Sequence, residues 1–99
     1  MFLVKNVPEI DDDIKFALSY YSSITEKLAD QFLERLAEIN TLLQSNPFFE
    51  VKYGEVRTLM LKQFPYIVHF IVNEERKEVI VLAIAYAKEN PIDYSKRKI

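Results

Sequence analysis

The chain contains no cysteine, no tryptophan and a single glycine, and each shortage narrows what it can be. Without cysteine there is no disulfide framework and no thiolate zinc site, so a small domain must be held by its core alone, which suits a reducing cytoplasm. No phosphate loop, nucleophile elbow or zinc spacing is present, and the first two need glycines that the chain lacks. No apolar run approaches the roughly 18 residues needed to span a bilayer. The longest, Val79 to Tyr86, has the length of a strand. Met1-Phe2-Leu3-Val4-Lys5 lacks the basic region, long apolar run and small-residue cleavage site of a secretory signal, so a cytoplasmic protein without membrane contact is expected. Excess charge of one sign is also absent. A net charge of −2 and a pI of 5.4 argue against general nucleic-acid binding, which usually goes with a domain pI above about 9.

What is present is enough for one core. Of 99 residues, 49% are hydrophobic and 28% charged, a balance that fits one folded domain and is too apolar for a disordered segment. The charge is unevenly spread: residues 1–50 hold four basic and nine acidic side chains, residues 51–99 nine basic and six acidic, giving −5 against +3.

Phe2 to Val7 reads as a short strand stopped by Pro8. Ile10, Ile14, Ala17, Leu18 and Tyr21 then recur at three and four residues, with Asp11, Asp12 and Asp13 in the first turn, where the helix macrodipole favours negative charge. Ser23-Ile24-Thr25-Glu26 fits a capping box with Ser23 as N-cap, predicting a tight turn into a second helix. That helix carries Leu28, Phe32, Leu36, Ile39 and Leu43 on one stripe and ends near Asn46-Pro47. Tyr20, Tyr21 and Phe32 are expected to pack between the helices. A loop holding Tyr53 and Gly54 follows, then three runs rich in β-branched and aromatic residues: Val56–Leu61, Tyr66–Val72 and Val79–Tyr86. Their connections have hairpin length, which predicts an antiparallel meander. The expected fold is α+β in the order β-α-α-β-β-β, a two-helix hairpin on a small, mainly antiparallel sheet. One domain is expected over 1–91, with a polar tail at 92–99 ending in Lys96-Arg97-Lys98.

From Asp13 to Pro91 the sequence resembles the RelE/ParE toxin superfamily, and its ParE-like branch, the plasmid stabilisation proteins, in particular. The landmarks are Asp13-Ile14, Ala17 and Tyr20-Tyr21 on the first helix, Ala29 and Phe32 on the second, and Asn46-Pro47. In the sheet half they are Val56-Arg57, Phe64-Pro65-Tyr66, Ala83-Ile84-Ala85-Tyr86 and Asn90-Pro91. The resemblance implies a type II toxin of bacterial origin, neutralised by a cognate antitoxin that covers its working groove. It also implies one of two actions: poisoning DNA gyrase by binding, as in the ParE-like branch, or cleaving messenger RNA on the ribosome, as in the RelE-like branch. A homologue that has lost activity and survives as a binding module is a third possibility.

Cleaving RNA requires cations clustered on the phosphate and groups to move the 2′-hydroxyl proton. Candidates for such work are Arg57, Lys62, His69, Tyr86 and Lys88. By the resemblance, the faces carrying Arg57 and His69 form the groove, yet Leu59 and Ile67 stand where RNA-cleaving relatives carry further arginines, and Tyr86 stands where the family has a histidine. Each candidate has a plainer role open to it. Arg57 could contact a carboxylate or phosphate, or pair with Glu50 or Glu55. His69 could titrate near neutrality, or simply pack between Ile67 and Ile71. Tyr86 could position a phosphate, or cap the core. Asp11-Asp12-Asp13 has no histidine beside it and is a helix start, so neither metal nor cofactor is expected. Arg57, Leu59, Leu61, Ile67 and Ile71 are expected to form an apolar sheet face left open by the helices, to be covered by an antitoxin or a second copy in a homodimer. The expected action is therefore binding, with an RNA-cleaving site mostly missing.

Overall fold

The computed structural model describes residues 1–88; the expected tail at 92–99 lies outside them. Its elements are β1 (Leu3–Asn6), α1 (Ile10–Ile24), α2 (Glu26–Ser45), β2 (Val51–Tyr53), β3 (Val56–Met60), β4 (Tyr66–Asn73) and β5 (Glu78–Tyr86). The sheet order is β1-β5-β4-β3-β2, antiparallel except where β1 lies parallel to β5. The α+β class, the helical hairpin and the three-strand meander are as expected. An additional edge strand, β2, replaces the expected loop. Val51 and Tyr53 pair with Arg57 and Val56 across a two-residue connection in which Gly54 takes φ +53°, a region that side-chain-bearing residues rarely enter.

The helix break also differs from expectation. Ser23 is not the N-cap: α1 continues to Ile24, and the Ser22 and Ser23 hydroxyls donate back to the carbonyls of Ser19 and Tyr20. Thr25 makes the break with an extended backbone (φ −153°, ψ 150°). Its N–H donates to the Tyr21 carbonyl, closing α1, and its Oγ1 accepts from Leu28 N at 3.1 Å, opening α2. Either Ser23 or Thr25 could cap a helix, and Thr25, two residues later, is the one whose hydroxyl accepts an N–H of α2.

Both apolar stripes face the sheet. Ile10, Ala17 and Tyr21 of α1 and Phe32, Ile39 and Leu43 of α2 are buried against Val68 and Phe70 of β4 and Val79, Val81 and Ile84 of β5. The end of the sheet nearest the helix turn is aromatic. Tyr21 stacks on Phe32 at 5.6 Å, and Phe64 and Tyr66 meet Phe32 edge-on at 5.3 Å each. Burial, followed by the nearby Tyr20 and Tyr86, pushes the Tyr21 hydroxyl pKa up.

At the opposite end Glu78 is a buried acid, its side chain 12% exposed. It accepts from Lys5 Nζ at 2.5 Å and Arg76 Nε at 3.2 Å. The Lys5 hydrogen bond, helped by the two positive charges and opposed by burial, holds its carboxyl below the ordinary value. A depressed folded pKa contributes stability that is present above the ordinary carboxylate range and is lost as pH falls through the folded value. Lys5→Met is expected to lower stability at neutral pH and to make its decline between pH 5 and pH 3 shallower. Urea midpoints measured across that range for both proteins check this. Parallel curves would show that the Lys5 contact does not hold the Glu78 proton affinity down.

Candidate partner-binding surface

The five residues expected on one open face are divided between two. Residues directly opposite each other in an antiparallel pair share a face, and here Arg57 is opposite Phe70 and Leu59 opposite Val68. Phe70 and Val68 lie in the core, so Arg57 and Leu59 look toward the helix layer. Leu61, just past β3, is itself core at 3% exposure. Ile67, His69 and Ile71 alternate with Tyr66, Val68 and Phe70 and therefore point away from the helices. Thr58, not Arg57, is the cross-strand partner of His69. The expectation that the Arg57 and His69 faces form one groove is thus corrected, because a register offset of one residue moves every side chain to the other face. Nor is the helix-free face an open apolar patch. Ile67 and Ile71 are half-buried, and Ala83 and Ala85, the partners of His69 and Ile67, are buried.

The candidate catalytic groups are likewise not brought together. Arg57 Nη1 donates to the Phe49 carbonyl at 2.7 Å, and its guanidinium lies 5.4 Å from the Phe48 ring centroid. Of the two readings of Arg57, no ion pair with Glu50 or Glu55 forms among the described residues, and the Phe49 contact instead fastens the α2–β2 connection to the sheet. His69 is on the other face. Tyr86 packs edge-on against Tyr66 at 5.7 Å. Phe70, opposite Arg57, is four residue steps along β4 from Tyr66, so at about 3.3 Å per residue the two sites lie roughly 13 Å apart along the strand. Lys62 and Lys88 are exposed at the sheet end, in the β3–β4 turn and beyond β5. Among the described residues no group of three His, Asp or Glu side chains is placed to hold a metal ion, and no helix is long and apolar enough to cross a membrane.

Exposed apolar side chains lie elsewhere. Tyr20, expected between the helices, is 58% exposed, and its ring meets that of Tyr21 in a T-shaped contact at 5.1 Å. With Phe16 and Ile24 it forms a four-residue-spaced row on the outside of α1. This row is legible in the sequence as a second apolar stripe, about 100° around the helix from the one that reads as core.

The other exposed apolar region is concave. Arg35, Glu38, Ile39 and Leu42 of α2 face Leu59, Met60 and Lys62 across a cleft of about 420 Å³. Leu42 is 46% and Met60 57% exposed, while Ile39 is buried at the floor. One helical turn before Arg35, Gln31 Oε1 accepts from Gln63 Nε2 at 2.8 Å and ties the β3–β4 turn to α2. Gln63 has φ 74°, an uncommon value for a residue with a side chain, and this contact is what its turn gains there.

No protein-family model and no curated protein matches the chain. Among solved structures, a chain of the chromosomal ParDE toxin–antitoxin system from P. aeruginosa superposes with a TM-score of 0.74 at 22% identity. The match covers 89% of this chain and 98% of that one. Two helices packed on a five-stranded, mainly antiparallel sheet therefore constitute a ParE-like fold.

Proposed function

We propose that this chain is the toxin of a type II toxin–antitoxin pair in the bacterial cytoplasm, that it acts by binding a target protein such as DNA gyrase, and that a cognate antitoxin neutralises it. The observation that carries this reading is the likeness in fold to a chain of a ParDE system, which covers 89% of this chain and 98% of that one. Binding rather than cleavage is supported by the separation of Arg57, His69 and Tyr86 over two faces and two ends of the sheet. Phosphodiester cleavage needs charge stabilisation and proton transfer within hydrogen-bond reach of one substrate. A protein that works by contact instead needs exposed apolar surface, which α1 and the α2–β3 cleft supply.

The test is inducible expression in bacteria, with growth, messenger RNA integrity and supercoiling of a reporter plasmid followed together. Growth arrest with intact messages and disturbed supercoiling is the expected result. Cleaved messages would transfer the protein to the ribosome-dependent endonucleases. Unimpaired growth with soluble, folded protein would sink the toxin reading and leave a silent binding module. Because Arg57 straps the α2–β2 connection, Arg57→Ala should be scored for folding before any loss of arrest is credited to a missing contact.

A further inference from the structure

The helix-free face of the sheet is more fully covered than its strands account for. Ala83 has no exposed surface and Ala85 only 7%, although both point away from the helices and neither belongs to the cluster packed beneath them. An alanine reaches little beyond the backbone. On the outer side of Ala83 no described strand pairs with β5, so cross-strand neighbours screen it from one side only. Beside the two alanines stand Ile67, His69 and Ile71, all half-buried, and the row leads to a hollow of about 490 Å³ at the β4–β5 turn. Half-buried Ile71 and Ile80 form its floor, and exposed Glu55, Glu74 and Glu75 its rim. The three glutamates make no ion pair among the described residues, while two cations of the same turn are engaged elsewhere, Arg76 on Glu78 and Lys77 over the Phe2 ring.

We propose that the helix-free face is the docking site of this chain's own segment 92–99, with Ile92 and Tyr94 over the Ala83–Ala85 row and Lys96-Arg97-Lys98 against Glu55, Glu74 and Glu75. Reach favours this occupant. Lys88 lies two residues beyond Tyr86, which pairs with Tyr66, and Asn73 at the rim is seven steps along β4 from Tyr66, so the way back from Lys88 is about nine steps, or 30 Å. Lys96 to Lys98 are eight to ten steps from Lys88, about 26–33 Å of extended chain. Charge agrees, since the segment carries three basic side chains and one acidic one against three acids at the rim. Tethering favours it over a separate molecule. A linked segment has an effective concentration in the millimolar range, so exposed ion pairs worth up to about 1 kcal/mol each, joined to two apolar contacts, suffice to hold it. While the segment is in place the His69 face is closed to partners, which leaves α1 and the α2–β3 cleft as the open apolar surface. The assignment is independent of the toxin reading.

Paramagnetic broadening of isoleucine methyl signals in the full-length protein tests this. The chain has no cysteine, so Ser95→Cys supplies a single attachment point for a nitroxide label. The Ile67 and Ile71 methyls are expected to lose at least about half their intensity, while Ile24, exposed on the outside of α1, keeps its own. Reversing the rim charge with Glu74→Lys and Glu75→Lys together is expected to restore most of the lost intensity. Both positions are exposed, so the variant should fold, and circular dichroism with thermal melting verifies that. Labelled protein without isotopic enrichment, mixed with methyl-enriched wild type, separates the copies: broadening in that mixture would give the face to the segment of a second copy and overturn the proposal. Intact Ile67 and Ile71 signals would overturn it by leaving the face to some other molecule. Equal broadening at Ile24 and Ile67, or broadening indifferent to the charge reversal, would overturn it as well.

Discussion

Phe32→Ala is expected to cost about 3–5 kcal/mol of folding stability, the largest single-residue effect in the molecule. Phe32 is fully buried, and its ring is the piece that joins three elements: it stacks on Tyr21 of α1 and meets Tyr66 of β4 and Phe64 of the preceding turn edge-on. Truncation removes the apolar transfer term and three ring contacts, and it leaves a cavity among side chains that are themselves anchored on separate elements and cannot all collapse into it. A domain of this size has about 5–15 kcal/mol to lose, so the variant should be partly unfolded at 37 °C. Urea denaturation measures it, with Phe16→Ala as the comparison. Phe16 is 76% exposed, and its removal should stay within about 0.5 kcal/mol of wild type. A Phe32→Ala loss below about 1 kcal/mol would mean that the aromatic end is not packed core.

The same residue shows what was legible beforehand. Phe32 lies on a stripe of five apolar residues at helical spacing, and a stripe that wide has only one way to be buried, so the helix, its inner face and its layer follow from sequence. The meander is legible for a similar reason, because β-branched runs joined by short polar connections have few alternatives. The faces of the sheet were not. β4 and β5 are apolar at nearly every position, so alternation gives no sign of which residues look toward the helices, and the pairing that puts Thr58 rather than Arg57 opposite His69 is a tertiary fact. Consequently the expected groove joined residues from opposite faces. β2 carried a readable signal, Val51-Lys52-Tyr53 before Gly54-Glu55, but three residues are too few for periodicity to speak. The cleft between α2 and β3 was hidden differently. Leu42 lies outside the inner stripe of α2 and Leu59 reads only as one residue of a sheet face, and the fold alone shows that a cleft remains between them.

Asp13 was legible as a favourable charge in the first turn of α1, and its second role leads to the other large expected effect. β1 pairs with β5 only as far as Val81, so beyond that point the outer edge of β5 has no neighbouring strand among the described residues. Leu82 is an extra residue in the pairing with β4, where His69 matches Ala83 and Phe70 matches Val81. That bulge shifts by one the backbone groups that point to the edge, and it turns the Ile84 N–H outward. Asp13 Oδ2 accepts it at 2.9 Å, docking the start of α1 onto the sheet. Asp13→Ala strips a partly buried N–H of a charged acceptor and should cost about 1–3 kcal/mol, whereas Asp12→Ala forfeits only a macrodipole contribution of about 0.3–1 kcal/mol. Asp13→Asn keeps a neutral acceptor and should recover part of the loss. Denaturation ranks the three variants, and hydrogen exchange localises the effect: the Ile84 amide should lose protection in Asp13→Ala beyond the change at core amides such as Phe70. Equal costs for Asp12→Ala and Asp13→Ala, with Ile84 protected as in wild type, would reduce Asp13 to a helix-dipole charge and leave the β5 edge held by packing alone.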